Sequence, residues 1–316
     1  MPAASDLRLV FMGTPDFAVP SLDALVAAGY RPAAVVTVPD RAKGRGQTLQ
    51  ASAVKRAAER HGLPVLQPER LDDPAFVAEL ERIAPEVIAV VAFRVLPPEV
   101  YRLASKGAFN LHASLLPRYR GAAPINRAVM AGEIETGVTT FFLEKTVDTG
   151  DTILMRRLGI GEDETAGELR DRLAELGAEV VVETVQHIEA GTVDTREQDE
   201  SRASLAPKIF KEDAEIRWDR DAREVHNHVR GLAPYPAAWT MHGDTLLKIY
   251  RTRLAPGAGE PGEVIEAAGD CLKVACEHGA VEILEVQREG RAKMSAAEFL
   301  NGYTFRPGDR LGVVPE

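Results

Sequence analysis

Residues 86–92 read Glu-Val-Ile-Ala-Val-Val-Ala, a run of small and β-branched side chains without alternating polar positions. Such a run is typical of a strand buried on both faces, as in a parallel sheet covered by helices. Similar runs occur at Leu7–Phe11 and Ala33–Val38, and helical patterns at Ser52–His61 and Asp73–Ile83 follow them. This alternation predicts an α/β domain built from strand–helix–strand units.

The chain has 316 residues, a length that suits two domains. The strand–helix alternation continues to about residue 190, ending in a long predicted helix at Thr165–Glu189. Residues 191–208 are polar and aperiodic, which indicates a linker or a segment lying across a surface. From residue 209 onward, short predicted strands with Gly and Pro turns favour a small barrel. We therefore expect an α/β domain at 1–190, a linker at 191–208 and a second domain at 209–316.

The formal net charge of -10 argues against a protein that coats nucleic acid or an anionic membrane by bulk attraction. The excess acid is local, because residues 151–200 hold 14 Asp and Glu against 5 Lys and Arg. The rest of the chain is close to neutral. A local group of cations can therefore still contact a nucleic acid.

Three further features indicate a soluble, cytoplasmic protein. Cys271 and Cys276 lie five residues apart in a predicted strand, so their side chains point to opposite faces and no disulfide is expected. The first six residues lack the basic region of a signal peptide. The longest apolar run, Val87–Phe93, is too short to cross a bilayer.

The densest group of candidate site residues is Asn110-Leu-His-Ala-Ser-Leu-Leu-Pro-Arg-Tyr-Arg-Gly-Ala-Ala-Pro124. Asn110 and His112 are two apart at the end of a predicted strand, so both side chains emerge on one face, at the edge where α/β sheets bind ligands. Asn can donate to a developing oxyanion, and His can exchange a proton near neutral pH. A His that satisfies a buried backbone group beside a turn-capping Asn would give the same pattern, and the spacing alone leaves both interpretations open.

Two other segments are candidates. In Asp148-Thr-Gly150, the carboxylate could orient the imidazole of His112 and favour its protonated form, although the same tripeptide is a common turn. The basic stretch Pro39–Gln47 places Arg41, Lys43 and Arg45 among glycines, where they could contact phosphates or form a solvated surface loop. No metal-binding spacing of His and Cys occurs, so no metal site is expected. Trp218, Tyr235 and Trp239 are expected to pack the second domain.

Together these segments resemble the methionyl-tRNA formyltransferase family, a branch of the folate-dependent formyltransferases, over almost the whole chain. The matching segments are Phe11–Phe17, Pro39–Gly46, Asn110–Pro124, Glu135–Val138, Asp148–Asp151, Ala206–Ile209, Arg230–Pro236 and Trp239. Asn-x-His with a downstream Asp-x-Gly is common to these formyltransferases and indicates the chemistry. The basic loop and the C-terminal segments indicate the tRNA-directed branch.

The resemblance implies a Rossmann-like, mostly parallel sheet domain followed by a smaller OB-like β-barrel domain. It implies transfer of a formyl group from 10-formyltetrahydrofolate, as co-substrate, to the α-amino group of methionyl-initiator-tRNA for translation initiation. Asn110 and protonated His112 would stabilise charge on the formyl oxygen, and Asp148 would keep His112 charged and help remove the amine proton. The folate is expected beside the residues Phe93, Val95, Ser114, Leu115, Leu116 and Pro117. Neither a metal nor a stable protein partner is implied.

By the same resemblance, Arg41, Lys43 and Arg45 would bind the tRNA acceptor end, with Arg45 the leading candidate. The barrel would hold the acceptor stem through Lys248, Arg251, Arg291 and Lys293. Two positions depart from the family pattern: Gln47-Thr48 replaces lysines found in many members, and Arg94 replaces a glycine. An arginine at the latter position is similar to the sugar-nucleotide N-formyltransferases, which use the same donor and are the alternative prediction. They generally lack the basic loop.

Overall fold

The structure is a computed structural model that describes residues 5–43, 48–306 and 308–312. The chain forms two compact units. The first extends through Gly121 and includes Gly137–Leu158 and Arg170–Leu205. The second comprises Ala122–Thr136, Gly159–Leu169 and the chain from Ala206 onward. The two units therefore do not correspond to a single division of the sequence.

The first unit is built on a mostly parallel sheet. The first nine strands are β1 (Leu9–Gly13), β2 (Ala34–Val36), β3 (Arg41–Lys43), β4 (Thr48–Gln50), β5 (Val65–Leu66), β6 (Val87–Val91), β7 (Ala108–His112), β8 (Glu135–Phe142) and β9 (Thr152–Gly159). Among the described residues, seven of them form a sheet in the order β5-β2-β1-β6-β7-β8-β9. Neighbours from β5 to β7 run parallel, and β8 is antiparallel to β7. The predicted α/β class is confirmed.

The described residues form eight α-helices, of which those at 53–60, 74–83 and 166–190 lie where the sequence predicts them. They are α1 (Val19–Ala27), α2 (Ala53–Arg60), α3 (Pro74–Ile83), α4 (Pro98–Tyr101), α5 (Pro124–Met130), α6 (Ala166–Ala190), α7 (Ala222–Leu232) and α8 (Ala296–Leu300). Local capping sets several starts: the side chains of Ser52 and Asp73 accept backbone N–H bonds at the first turns of α2 and α3. Every residue of β1 and β6 is buried, as their unbroken apolar runs require.

The second unit contains an antiparallel sheet. Its strands are β10 (Ala238–His242), β11 (Thr245–Ala255), β12 (Val264–Ala268), β13 (Cys271–Ala275), β14 (Ala280–Arg288) and β15 (Met294–Ser295). The sheet has the order β10-β11-β14-β13-β12, with β15 beside β14. An apolar cluster that includes Trp218, Val229 and Ile283 fills this unit, and Trp239 packs against the cluster. Cys271 and Cys276 are free thiols.

The expectation for Tyr235 was wrong. Its side chain is 84% exposed, because Tyr235 lies in the Pro-flanked connection between α7 and β10 rather than in either element. Proline on both sides of a residue keeps it out of the regular packing of a helix or strand. Within the described ranges, no helix is both long enough and apolar enough to span a membrane.

Candidate active site

Strand β7 places Asn110 and His112 at the carboxyl edge of the parallel sheet. Asn110 pairs with Val90 of β6 on one side and with Phe141 of β8 on the other. Leu111 faces α6 so closely that a Cβ on Gly177 would lie 2.6 Å from its Cδ2. Because side chains alternate along a strand, Asn110 and His112 share the opposite face of the sheet.

The imidazole of His112 is buried and has a hydrogen-bond partner at one nitrogen, Nε2. His112 is only 6% exposed, and its Nε2 lies 2.8 Å from the carbonyl oxygen of Tyr119. A carbonyl can only accept, so Nε2 carries a hydrogen in this contact. Nδ1 therefore faces Asp148, whose Oδ2 is 3.8 Å away. That distance is too long for a hydrogen bond but allows an ion pair when the imidazole is protonated.

Asp148 occupies a turn that is held on several sides. The residue is 9% exposed, has a φ of 58°, and its Oδ2 accepts a 2.9 Å bond from the N–H of Gly121. Two residues on, a Cβ at Gly150 would lie 1.8 Å from the carbonyl oxygen of Phe142. Only glycine fits there. The structure thus brings Asp148 next to His112, a proximity that sequence spacing could not show.

The expected folate-binding residues lie on two segments that leave neighbouring strands at the same edge. The segment Ser114–Pro117 follows β7, and it is fastened by Thr139: its hydroxyl donates to the carbonyl of Ser114 (2.7 Å) and accepts from the N–H of Leu116 (3.2 Å). The hydroxyl of Ser114 donates to the carbonyl of Arg118 at 2.6 Å. Leu115 lies against β8, because a Cβ on Gly137 would be 2.6 Å from its Cδ2.

The second segment follows β6 and contains Phe93 and Val95. Phe93 is half-buried, whereas Val95 is 71% exposed. Arg94, between them, lies over the Phe93 ring at 5.2 Å and donates to the carbonyls of Pro68 and Glu69 at 2.9 and 2.8 Å. Burial, and then the nearby Arg41, hold the pKa of Arg94 below its usual range. The unexpected arginine therefore ties this segment to the backbone after β5.

The basic stretch begins as a short hairpin rather than as a loop alone. Backbone pairing joins Arg41 to Gln50 and Lys43 to Thr48. Asp40, just before it, accepts bonds from Lys55 (2.6 Å) and Gln67 (2.8 Å), and these bonds hold the pKa of its carboxyl below the usual range. Arg41 is exposed. Arg45 and Gln47 lie outside the described residues.

Two of the four cations expected to serve tRNA binding in the second unit are already paired. Arg251 donates to Glu168, and the ammonium of Lys293 contacts Glu285 at 2.6 Å. Lys248 is half-buried in β11, and Arg291 is exposed after β14. Ion pairing reduces what Arg251 and Lys293 can offer to a phosphate, since each already has a carboxylate neighbour.

One residue that contacts the Asp148 turn was not predicted from the sequence. Gln198, in the polar segment 191–208, donates to the carbonyls of Asp148 and Gly150. No local pattern could have shown this, because the partners are distant in sequence. Among the described residues, no group of three or more His, Cys, Asp or Glu side chains could hold a metal ion.

Comparison with solved structures shows the same fold in a sugar formyl transferase and in a protein solved with tetrahydrofolic acid. The sugar 3N-formyl transferase WlaRD, solved in the presence of dTDP and 5-N-formyl-THF, superposes with a TM-score of 0.65 at 18% identity, covering 92% of this chain and 100% of that one. HypX from Aquifex aeolicus, solved with tetrahydrofolic acid, gives 0.65 at 21% identity over 96% of this chain. The chain spans 49% of the HypX chain.

Sequence comparison is more specific. Residues 7–185 match the formyl transferase family, and residues 208–304 match the formyl transferase C-terminal domain. The methionyl-tRNA formyltransferase of Moorella thermoacetica is 48% identical over 98% of this chain and 100% of its own. That of Citrifermentans bemidjiense is 45% identical over 97% of this chain and 96% of its own. On this full-length similarity, the chain belongs to the methionyl-tRNA formyltransferase family of formyl-group transferases.

Proposed function

We propose that the chain transfers the formyl group of 10-formyltetrahydrofolate to the α-amino group of methionyl-initiator-tRNA, in the cytoplasm, for translation initiation. The observation that carries the proposal is the similarity, at 45–48% identity over nearly the whole chain, to proteins named methionyl-tRNA formyltransferase. The tetrahydrofolate and formyl-tetrahydrofolate in two structures of the same fold support a folate donor.

The buried groups on β7 and the Asp148 turn suit this reaction. The neutral α-amine attacks the formyl carbon, and negative charge develops on the formyl oxygen. The carboxamide N–H of Asn110 and the Nδ1–H of protonated His112 would donate to that oxygen. The amine then loses a proton, the bond from the formyl carbon to N10 breaks, and that proton is passed on to N10, so that no net proton is released. Asp148 would keep the imidazole charged and accept the amine proton, directly or through water.

Two segments would hold the folate. Phe93 and Val95 offer an apolar surface after β6, and Ser114–Pro117 follow the adjacent strand β7. Their support is positional: Val91 and Leu111 are register partners, so the segments that follow them leave the same sheet edge as His112. Arg94 fastens the first segment to the backbone of residues 68 and 69. This arrangement would hold donor and acceptor in line, which lowers the entropic part of the barrier.

Recognition of tRNA would use the basic hairpin and the second unit. Arg41, Lys43 and Arg45 would contact phosphates of the acceptor end, which position the RNA without reading its sequence. In the domain terms of the family, residues 1–190 would form the Rossmann-like catalytic domain, 191–208 the linker, and 209–316 an OB-like barrel. Register irregularities in β11 and β12, which bend strands, support the barrel assignment.

The test is product analysis. Purified protein is incubated with 10-formyltetrahydrofolate and methionyl-initiator-tRNA, and the aminoacyl group is released and identified by mass spectrometry. We expect formylmethionine from the wild type and an initial rate about 100-fold or more lower from Asn110→Ala, which controls for a contaminating enzyme. Unmodified methionine in the wild-type reaction, with folded protein and intact donor, would overturn the proposal.

A further inference from the structure

The side chain of Gln198 is buried and uses all of its hydrogen-bonding capacity. It is 6% exposed, and Nε2 donates to the carbonyls of Asp148 (3.0 Å) and Gly150 (2.8 Å). Oε1 accepts from Nε and Nη2 of Arg120 at 3.2 and 2.8 Å. The opposite amide orientation would set N–H groups against a guanidinium and oxygen against carbonyls, so the contacts themselves decide the orientation.

Arg120 stands behind Gln198 and is itself held. Its Nη1 and Nη2 also donate to the two carboxylate oxygens of Glu200, at 2.9 and 2.6 Å. Its backbone N–H donates to the carbonyl of Ser204, at 2.9 Å. The buried guanidinium therefore has a charge partner and a fixed geometry, as a buried arginine needs.

The residues on either side of Arg120 both reach the catalytic pair. Tyr119 supplies the carbonyl that contacts Nε2 of His112, and Gly121 supplies the N–H that binds Oδ2 of Asp148. Gln198 adds a link from the Arg120 side chain to the backbone of the Asp148 turn. Residues 119–121 thus connect to His112, to the Asp148 carboxylate and, through Gln198, to the turn that carries that carboxylate.

The Asp148 turn needs such support. A non-glycine residue with a φ of 58° is less stable than one in an ordinary conformation, and it persists only when its surroundings hold it. The two carbonyls that Gln198 binds lie on either side of Thr149, so its amide spans the turn.

We propose that Gln198, backed by Arg120, is a positioning residue that keeps the Asp148 carboxylate facing the imidazole of His112. This inference rests on the proposed function, in which Asp148 acts through His112. It assigns part of the polar segment 191–208 to the architecture of the active site. Gln198 itself touches no reacting atom.

A double-mutant cycle tests the inference. We expect Gln198→Ala to lower kcat about 100-fold, the loss that follows a small misplacement of a catalytic group, while KM for folate and tRNA stays within about twofold. In the Asp148→Asn background, the same substitution should lower kcat by less than about threefold, because its target has already been removed.

Conservative variants separate positioning from general destabilisation. Gln198→Glu keeps the size and the acceptor for Arg120 but turns a carboxylate oxygen toward two carbonyls, so we expect a loss of kcat like that of Gln198→Ala. The matched control is Gln287→Glu in the second unit, where the amide donates to the carbonyl of Arg291 and accepts from Tyr250. It should leave kcat unchanged. Arg120→Ala keeps Gln198 but removes the guanidinium that binds its side-chain oxygen, and it should also lower kcat.

Thermal unfolding and donor binding are measured on every variant, and Arg120→Ala decides the outcome if Gln198→Ala does not fold. Full activity of Asp148→Asn would contradict the proposed function itself. If Asp148→Asn is impaired, unchanged kcat in folded Gln198→Ala would overturn the positioning role, as would unchanged kcat in Arg120→Ala if only that variant folds. Losses of kcat that multiply in the double variant would also overturn it. So would a raised KM with unchanged kcat in Gln198→Ala.

Discussion

Nδ1 of His112 and Oδ2 of Asp148 lie 3.8 Å apart, and both side chains are almost completely buried. An ion pair shielded from water is screened far less than one at the surface, so these two side chains interact strongly whenever both are charged. The other nitrogen of the ring is occupied by the carbonyl of Tyr119. Nδ1 is therefore the nitrogen that can donate a hydrogen bond to a reacting oxygen while it faces the Asp148 carboxylate.

Removing either donor on β7 should slow the chemical step. We expect Asn110→Ala and His112→Ala each to lower kcat about 100- to 1,000-fold, the usual cost of one donor to a developing oxyanion. KM for both substrates should change little, since the lost bonds form mainly in the transition state. Steady-state kinetics checks this, with Asn301→Ala, at the exposed end of α8, as the control. Unchanged turnover in Asn110→Ala would place the site elsewhere.

Gly150→Ala should displace the Asp148 turn. Its Cβ would lie 1.8 Å from the carbonyl oxygen of Phe142, and a backbone atom cannot move aside cheaply. We expect overpacking to lower the free energy of unfolding by about 1–3 kcal/mol or more, with a loss of kcat. Denaturant unfolding and turnover are compared with Gly302→Ala, whose Cβ would meet nothing within 4 Å. A fully stable and active Gly150→Ala would show that the turn tolerates the displacement.

Neutralising the basic hairpin should weaken tRNA use alone. We expect Arg45→Ala, and less strongly Arg41→Ala, to raise KM for methionyl-tRNA, with a shallower salt dependence because a phosphate contact is lost. KM for the folate donor should stay constant. Arg102→Ala, an exposed cation beyond α4, is the matched control. An equal loss for both substrates would contradict a role in holding tRNA.

The second unit should lose stability in mild acid because of His226. Burial holds the pKa of His226 below its usual range, outweighing Asp163, which is 3.3 Å from Nε2. Arg230 and Arg223 lower this pKa further. The unfolded chain then binds the proton more readily, so stability is complete above about pH 6.5 and falls as the pH drops through that value.

The slope of the free energy of unfolding against pH measures that effect. Each buried histidine can contribute at most about 1.4 kcal/mol per pH unit, and burial also lowers the pKa of His228. Fluorescence of Trp218 and Trp239, both in the second unit, follows its unfolding in urea between about pH 5.5 and 7.5. We expect His226→Gln to flatten the slope and the exposed His278→Gln to leave it unchanged. An identical slope in His226→Gln would refute the assignment to this histidine.

Much of the architecture follows from local patterns. The apolar run 86–92 corresponds to β6 at Val87–Val91, and the predicted helix Thr165–Glu189 to α6 at Ala166–Ala190. Long periodic segments bury one face or both and leave a clear pattern of apolar side chains. The paired strands β3 and β4 show no such pattern of apolar side chains, because they are short and polar. The prediction for Tyr235 was wrong because an aromatic residue in a connection has no periodic neighbours that would show whether it is buried.

The site was partly accessible to the same reasoning. Asn110 and His112 share a strand, so their common face follows from spacing. The approach of Asp148 to His112 depends on how a distant turn folds back, and Gln198 and Arg120 meet through bonds between segments far apart in sequence. Such contacts depend on tertiary geometry, which no local pattern records.

The most direct test of the central claim is a competition between acceptors. Wild-type protein with 10-formyltetrahydrofolate is given methionyl-initiator-tRNA and an amino-sugar nucleotide at equal concentration, and both products are quantified by mass spectrometry at low conversion. The ratio of products then gives the ratio of kcat/KM for the two acceptors. We expect formylmethionyl-tRNA and no detectable formylated sugar. Formylation of the amino-sugar nucleotide with methionyl-tRNA left unmodified would contradict it.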